Sequence, residues 1–317
     1  LKPGEEYIPV MRPDRQYPEV TPYSVIMGLV MAIIFSAAAA YLGLKVGQVF
    51  EAAIPIAIIA VGVSGALKKK NALGQNVIIQ SIGASSGIGY EVARLLLQEG
   101  WRLGLAARRT ETLEALRREF QDQVVYAPID VTQEESEERL LRLIDAVGGM
   151  DLYLHVAGVG WQNMDLLPEK ELPTVSTNAL GFARLVGAAY RYFAAQGHGH
   201  IAVVSSIAGT KGLGVAPAYS ASKAFCNVYI EALEQQAHLR HLDIHFTDLR
   251  PGFVRTDLLG DGKHYPMLMS AESVAQDIVK AIRTRRHVCV IDWRYRVLTA
   301  LWRTIPRWLW RRMAVRN

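Results

Sequence analysis

Gly83-Ala84-Ser85-Ser86-Gly87-Ile88-Gly89 decides the reading of this chain, because the apolar run Asn76 to Ile82 feeds it and Tyr90 to Leu97 leaves it at helical spacing. The pattern is strand, glycine turn, helix. A side chain on such a turn would hold the backbone away from a pyrophosphate, and the N–H groups exposed at a helix start attract anions. Three glycines alone do not make a dinucleotide site; the residues around them must supply the rest.

Downstream, Arg102 to Ala107 reads as a second strand and Glu111 to Phe120 as a helix with Leu113 and Leu116 on one face. The alternation repeats through the short apolar runs Val124 to Ile129, Leu152 to Val156, Ile201 to Val204, Ile244 to Leu249 and Val288 to Ile291. Helical patterns separate most of them. Strands alternating with helical crossovers predict an α/β fold, a Rossmann-like doubly wound parallel seven-stranded sheet. No internal repeat or low-complexity tract interrupts Gly83 to Arg286.

The end of the second strand bears on the nucleotide. A site that prefers NAD places an acidic residue there for the ribose hydroxyls, whereas this chain has Ala107, Arg108 and Arg109. A cation suits a 2′-phosphate. The expectation is NADP(H) preferred over NAD(H), with Arg108 the leading contact; the alternative is an exposed arginine pair at a helix start.

Further on, Tyr219-Ser-Ala-Ser-Lys223 places a phenol and an ammonium four residues apart, on one face of a helix. Ser206 precedes the tyrosine by 13 residues, after the strand Ile201 to Val204. With the glycine turn, these spacings make residues 76 to 292 resemble the short-chain dehydrogenase/reductase family. The family's glycine motif falls on Gly83, Gly87 and Gly89, with Ser85, Ser86 and Ile88 inside the same cofactor-binding turn. Its adenine-ring acid falls on Asp130, followed by Val131, and its active-site asparagine on Asn178. Its proline-glycine turn falls on Pro251-Gly252, with Val254 and Thr256 also toward the cofactor. One departure stands out: where the family has Asn-Asn-Ala-Gly, this chain has His155-Val156-Ala157-Gly158. Ala157 and Gly158 keep the cofactor-facing part, and His155 puts the strand-four hydrogen bonding in question.

The resemblance implies catalysis by Tyr219, Lys223, Ser206 and Asn178 on a small carbonyl or alcohol substrate. When hydride reaches a ketone an alkoxide develops and needs a proton from a positioned acid. A free phenol, with pKa about 10, is a weak acid near neutral pH, and an adjacent cation favours the phenolate. Lys223 would provide that cation and also hold the nicotinamide ribose. Ser206 would hydrogen-bond the carbonyl oxygen, and Asn178 would hold a water linking Lys223 to solvent. The family also implies a homo-oligomer built through the helices around Asn178 and Tyr219. Leu258 to Met269 reads as a flap over the substrate, and its Leu258, Leu259, Met267, Leu268 and Met269 suggest a lipophilic substrate, though packing would give the same pattern.

No metal site is expected. His198, His200, His238, His241 and His245 lack an accompanying cysteine or carboxylate cluster. The chain has two cysteines, Cys226 and Cys289, in a predicted helix and strand, which fits a reducing compartment without disulfides.

Upstream, the composition changes character. Leu1 to Glu19 is a polar arm with four prolines, and Val20 to Leu44 is 25 residues without a charge, long enough to cross a bilayer. Ala52 to Leu67 is a shorter apolar run broken by Pro55, and Lys68 to Lys70 follow it. Residues 20 to 70 therefore predict a two-span α-helical transmembrane segment, and the positive-inside bias puts the catalytic domain in the cytoplasm. Tyr41 to Pro55 and Asn71 to Ser85 look like the opening of the oligopeptide transporter (OPT) family, over residues 1 to 85. A transport pathway needs helices on all sides, so the segment reads as an anchor or a remnant; a truncated transporter fragment with an incidental soluble domain is the alternative function. Ser81 to Ser85 belongs to both patterns and no linker separates them, which fits a functional fusion or a join of two unrelated genes.

The net charge of +5 comes largely from Lys68 to Lys70 and from the tail. Residues 293 to 317 interleave seven arginines with Trp302, Trp308, Trp310 and leucines. That mixture points away from nucleic acid and toward membrane lipid, with a helix covering the pocket or a subunit contact as the alternative.

Overall fold

The structure, a computed structural model, describes residues 76–80, 87–256 and 265–315, which belong to a compact unit spanning Leu73–Asn317. The predicted arm, the two-span segment and the turn residues Gly83, Ser85 and Ser86 lie outside the described residues. Among the described residues, no helix is long and apolar enough to cross a membrane.

Among the described residues, seven strands form one parallel sheet: β1 (Asn76–Gln80), β2 (Arg102–Ala107), β3 (Val124–Pro128), β4 (Leu152–His155), β5 (His198–Val204), β6 (Asp243–Arg250) and β7 (Val288–Val290). Their order is β3-β2-β1-β4-β5-β6-β7, with every neighbouring pair parallel. The doubly wound architecture read from the apolar spacing is therefore present, with its topological switch between β1 and β4. Gln80 pairs with His155 there, at the strand ends where open α/β sheets bind ligands.

Two apolar layers sandwich the sheet. On one face α1 (Ile88–Gln98), α2 (Glu111–Phe120) and α7 (Ala271–Arg283) bury Val92, Leu96, Leu116, Val274 and Ile278. On the other, α3 (Ser136–Val147), α5 (Phe182–Gln196) and α6 (Pro217–Leu239) bury Ile144, Leu185, Phe193 and Ile230. The remaining helices are α4 (Pro168–Val175), α8 (Trp293–Thr304) and α9 (Arg307–Trp310). Burial of both faces explains the near-continuous apolar strands, such as Leu103 to Ala107.

Strand ends differ modestly from expectation. β5 begins at His198 rather than Ile201, because His198, Gly199 and His200 pair with Asp243, Ile244 and His245 despite their polarity. β4 stops at His155, one residue earlier than the apolar run suggests.

The tail is largely folded onto the body. Trp310 donates from Nε1 to the Gly212 carbonyl at 2.7 Å and packs on Trp302 at a ring separation of 5.3 Å. Lys211 donates to the Ile305 carbonyl at 3.0 Å. The inner side of the tail thus covers the segment after Ser206. Tyr295 ties it in more deeply. Its hydroxyl accepts from the Phe253 amide and donates to the carbonyls of Pro266 and Met267, all at 3.1 Å. The far end of the expected flap is held by these bonds and by the Val254–Met269 bridge; residues 257–264 lie outside the described residues.

Removing that hydroxyl takes a partner from the part-buried Phe253 amide and from the Pro266 and Met267 carbonyls. Tyr295→Phe is therefore expected to lower unfolding free energy by about 1–3 kcal/mol, measured by urea denaturation, with near-wild-type stability counting against the anchoring role.

Candidate active site

The predicted proton-handling residues come from three elements. α6 starts at Pro217, whose fixed φ suits a first helical position, and carries Tyr219 and Lys223 one turn apart. Lys223 is only 5% exposed, and its Nζ donates to the Val204 carbonyl at 3.1 Å, 5.9 Å from the Tyr219 ring centre. Asn178 sits in a wide π-type turn, Ser176–Gly181, between α4 and α5. Ser206 is buried, in extended backbone at the start of a 3₁₀ turn, where its Oγ accepts from the Ala208 amide at 3.1 Å and reaches the Pro251 carbonyl at 3.4 Å.

Glycines let these side chains converge. A Cβ on Gly158 would lie 3.1 Å from Lys223 Nζ and 3.5 Å from Asn178 Oδ1, and one on Gly160 would lie 2.2 Å from the Tyr219 ring. The segment after β4 is therefore bare backbone beneath Lys223, Asn178 and Tyr219. A side chain at Gly252 would collide with the Tyr295 ring at 2.2 Å, so the Pro251-Gly252 turn needs its glycine for packing as well.

Asn178 has side-chain partners that its place in the sequence does not indicate. Its Oδ1 accepts from the Val159 amide at 2.8 Å, and its Nδ2 donates to the Val159 carbonyl at 2.7 Å and to Ser222 Oγ at 3.0 Å. The amide group thus pins the Gly158–Gly160 segment and α6 together. Its backbone carbonyl accepts from the Cys226 thiol at 3.4 Å, and burial pushes that thiol's pKa up to about 11. Sequence reasoning missed Ser222 and Cys226 as partners of Asn178. Their only signal was position, one before and three after Lys223 on the helix.

A second missed group braces Ser206 from behind. Ser205 donates to Asp248, which is buried and paired with Arg250 at 2.6 Å, and the Asn227 amide is placed to donate to both Asp248 and Ser205. Acid and base here are two residues apart on β6, a spacing that points both to one face.

On the expected cofactor side, Gly87 precedes α1, Ile88 opens it and Gly89 is buried in its first turn. Arg108 and Arg109 are exposed between β2 and α2, without an ion pair among the described residues. Asp130 accepts from the Thr132 amide at 2.9 Å and hydroxyl at 2.8 Å, and Val131 is fully buried beside it. Ala157 and Val254 are buried, Gly158 and Gly252 half-buried, and Thr256 reaches the Val254 carbonyl at 3.4 Å. All of these follow the carboxyl ends of their strands or open the helix after one.

His155 resolves its departure in an unexpected way. It is buried, and Nδ1 lies 2.9 Å from the Tyr153 hydroxyl, a partner on the same face of β4, while Nε2 makes no close hydrogen bond among the described residues. Burial, reinforced by the Lys223 cation, lowers its pKa to about 3. His200 is similar: it bonds Thr247 at 2.8 Å, and burial followed by His245 and Arg285 lowers it to about 3. No group of side chains suited to a metal occurs among the described residues, and both cysteines are free.

Comparison with known proteins fits this geometry. Residues 76–264 match the short chain dehydrogenase family, and residues 19–110 match the OPT oligopeptide transporter protein family, the two overlapping over 76–110. An uncharacterized oxidoreductase of Myxococcus xanthus is 35% identical over 231 residues, covering 71% of this chain and 90% of the relative. Dehydrogenase/reductase SDR family member 7B of Danio rerio is 27% identical over 265 residues, covering 76% of this chain and 84% of the relative. The solved structure of ElxO with NADP bound shares the fold, with a TM-score of 0.62 at 20% identity over 70% of this chain and 99% of its own. The chain belongs to the short chain dehydrogenase family. It is an NAD(P)-dependent oxidoreductase.

The two buried histidines set an acid limit. Unfolded, each takes up a proton near pH 6.5, whereas folded each resists until about pH 3. Between those values the unfolded chain binds more protons, so stability falls as pH falls. Urea unfolding across that interval should show a shallower pH slope for His155→Asn than for the wild type; identical slopes would mean that His155 is not held neutral.

Proposed function

We propose that this chain is an NADPH-dependent reductase of ketones or aldehydes, running as an alcohol dehydrogenase in reverse, with Tyr219, Lys223, Ser206 and Asn178 as its working residues. The observation that carries the reading is the convergence of buried Lys223 and the Asn178 amide over Gly158, with Tyr219 one helical turn from Lys223 and packed over Gly160.

A nicotinamide nucleotide fits the residues present. Its phosphates would be held at the glycine turn Gly83 to Gly89, including Ser85, Ser86 and Ile88, and its adenine side by Asp130 and Val131. Ala157, Gly158, Pro251, Gly252, Val254 and Thr256 would border the nicotinamide half. Arg108 and Arg109, exposed and without an anionic partner among the described residues, favour a 2′-phosphate and hence NADP(H) over NAD(H). When bound, the nicotinamide supplies hydride to the carbonyl carbon or accepts it from the alcohol. Ser206 orients the substrate oxygen through its hydroxyl. Tyr219 gives that oxygen a proton as negative charge develops, and the Lys223 ammonium favours the phenolate left behind. Asn178 acts mainly by fixing the backbone at Val159 and the helix at Ser222, which keeps Lys223 over Gly158.

Self-association belongs to the same reading. Leu172, Val175, Leu180, Phe225 and Val228 are exposed on α4, the π-type turn and α6, around Asn178 and Tyr219, and support a homo-oligomer through that surface. Residues 20–70 would attach the protein to a membrane, with the catalytic domain in the cytoplasm; the uncharged run Val20 to Leu44 and the OPT family match support this.

The test is NADPH oxidation by detergent-solubilised full-length protein against a panel of ketones and aldehydes. Tyr219→Phe should reduce turnover by roughly 10²–10⁴-fold with NADPH binding retained; unchanged turnover would remove Tyr219 from the chemistry. Arg108→Asp should raise KM for NADPH selectively. Equal loss with NADPH and NADH would show that Arg108 does not read the 2′-phosphate.

A further inference from the structure

α8 and α9 present an outer surface that the packing of the tail leaves unexplained. Tyr295 and Thr299 turn inward, and on the other side Trp293, Val297 and Leu301 follow at four-residue intervals, 68%, 52% and 59% exposed. In α9, Trp310 is buried while Trp308 is 62% exposed, with Leu309 and Met313 exposed beside it. A solvated surface rarely keeps two tryptophans and several aliphatic side chains in one short segment.

Within the segment itself the charges after Asp292 are of one sign, while Asp277 of α7 lies beside Trp293 and Arg296. No acidic residue follows Asp292, and Asp292 is taken by Arg294 at 2.6 Å. Arg296, Arg303, Arg307, Arg311 and Arg312 are exposed and have no ion pair among the described residues. The segment is not a loose tail, since Trp310 on Gly212, Lys211 on Ile305 and Tyr295 on Phe253 fix both helices to the domain. Its apolar and basic side chains are therefore presented from fixed helices, with Arg307 and Arg311 beside the cleft at Gly212 and Val215.

We propose that the outer side of α8 and α9 docks on an anionic lipid bilayer, with Trp293, Val297, Leu301 and Trp308 entering the interface and the five unpaired arginines meeting lipid phosphates and carboxylates. Indole rings and aliphatic side chains favour the boundary between headgroups and acyl chains, and guanidinium groups pair bidentately with anionic oxygens. A nucleic acid would satisfy the arginines but leave Val297 and Leu301 without an apolar environment. The inference does not depend on the catalytic reading. It extends membrane contact to the folded domain itself, separately from residues 20–70.

The test keeps the whole chain and changes only the lipid. Leu301→Cys is labelled with an environment-sensitive fluorophore, the native Cys226 and Cys289 being buried. The labelled protein is then reconstituted in phosphatidylcholine vesicles and in phosphatidylcholine–phosphatidylserine vesicles. Any attachment through residues 20–70 is common to both. The expected result is a blue shift and increased emission only with phosphatidylserine, reversed by high salt and lost in Arg307→Gln/Arg311→Gln/Arg312→Gln. An unchanged far-ultraviolet circular dichroism spectrum and urea midpoint report that the variant is folded. The same emission in both vesicles would overturn the proposal. So would a blue shift in detergent that grows with protein concentration, which would assign the surface to a second copy, or an equal shift with single-stranded RNA.

Discussion

The buried ammonium of Lys223 is the constraint around which the site is assembled. A charge removed from water needs compensation, and here one part of it is the Val204 carbonyl at the end of β5. That bond joins α6 to the sheet at the edge where the strands end. The same side chain needs open space beneath it, which Gly158 provides, and a neighbour that keeps the backbone there in place, which Asn178 provides through both of its amide bonds to Val159. One cation therefore connects β5, the segment after β4, the π-type turn and α6.

The polar groups around this centre illustrate how low dielectric selects protonation states. His155 and the Cys226 thiol are both buried beside Lys223, and in both cases burial favours the neutral form. The Lys223 cation acts in the same direction on the histidine and in the opposite direction on the thiol. Burial outweighs it in the latter case. Asp248 is buried among Arg250, Ser205 and Asn227, so the strand end that carries Ser206 rests on a fully partnered side chain.

The C-terminal helices have two unlike sides for a related reason. Tyr295 and Trp310 each hydrogen-bond to the body of the domain, Trp302 packs on Trp310, and the three are drawn inward. Trp293 and Trp308 have no such partner among the described residues and are exposed, as the arginines are. Composition alone supported both a covering helix and a membrane-facing one. The fold divides these roles between the two sides of the same segment.

The sequence by itself determined the sheet. Apolar runs such as Leu103 to Ala107 and Ile201 to Val204 are legible because both faces of a parallel sheet are buried, which leaves no alternation to misread. It also placed Tyr219 and Lys223 together, since residues four apart on a helix share a face. What only the tertiary structure decided were the contacts between residues distant in the chain. Nothing near Asn178 in sequence indicates that its amide closes on Val159 and Ser222, and nothing near His155 indicates that its Nδ1 meets Tyr153. Gly252 read as part of a turn motif, yet its need for glycine comes from the ring of Tyr295. Local periodicity records which side of an element is buried. It carries no information on which distant atom fills the space opposite, and that pairing sets the hydrogen bonds and charges of the site.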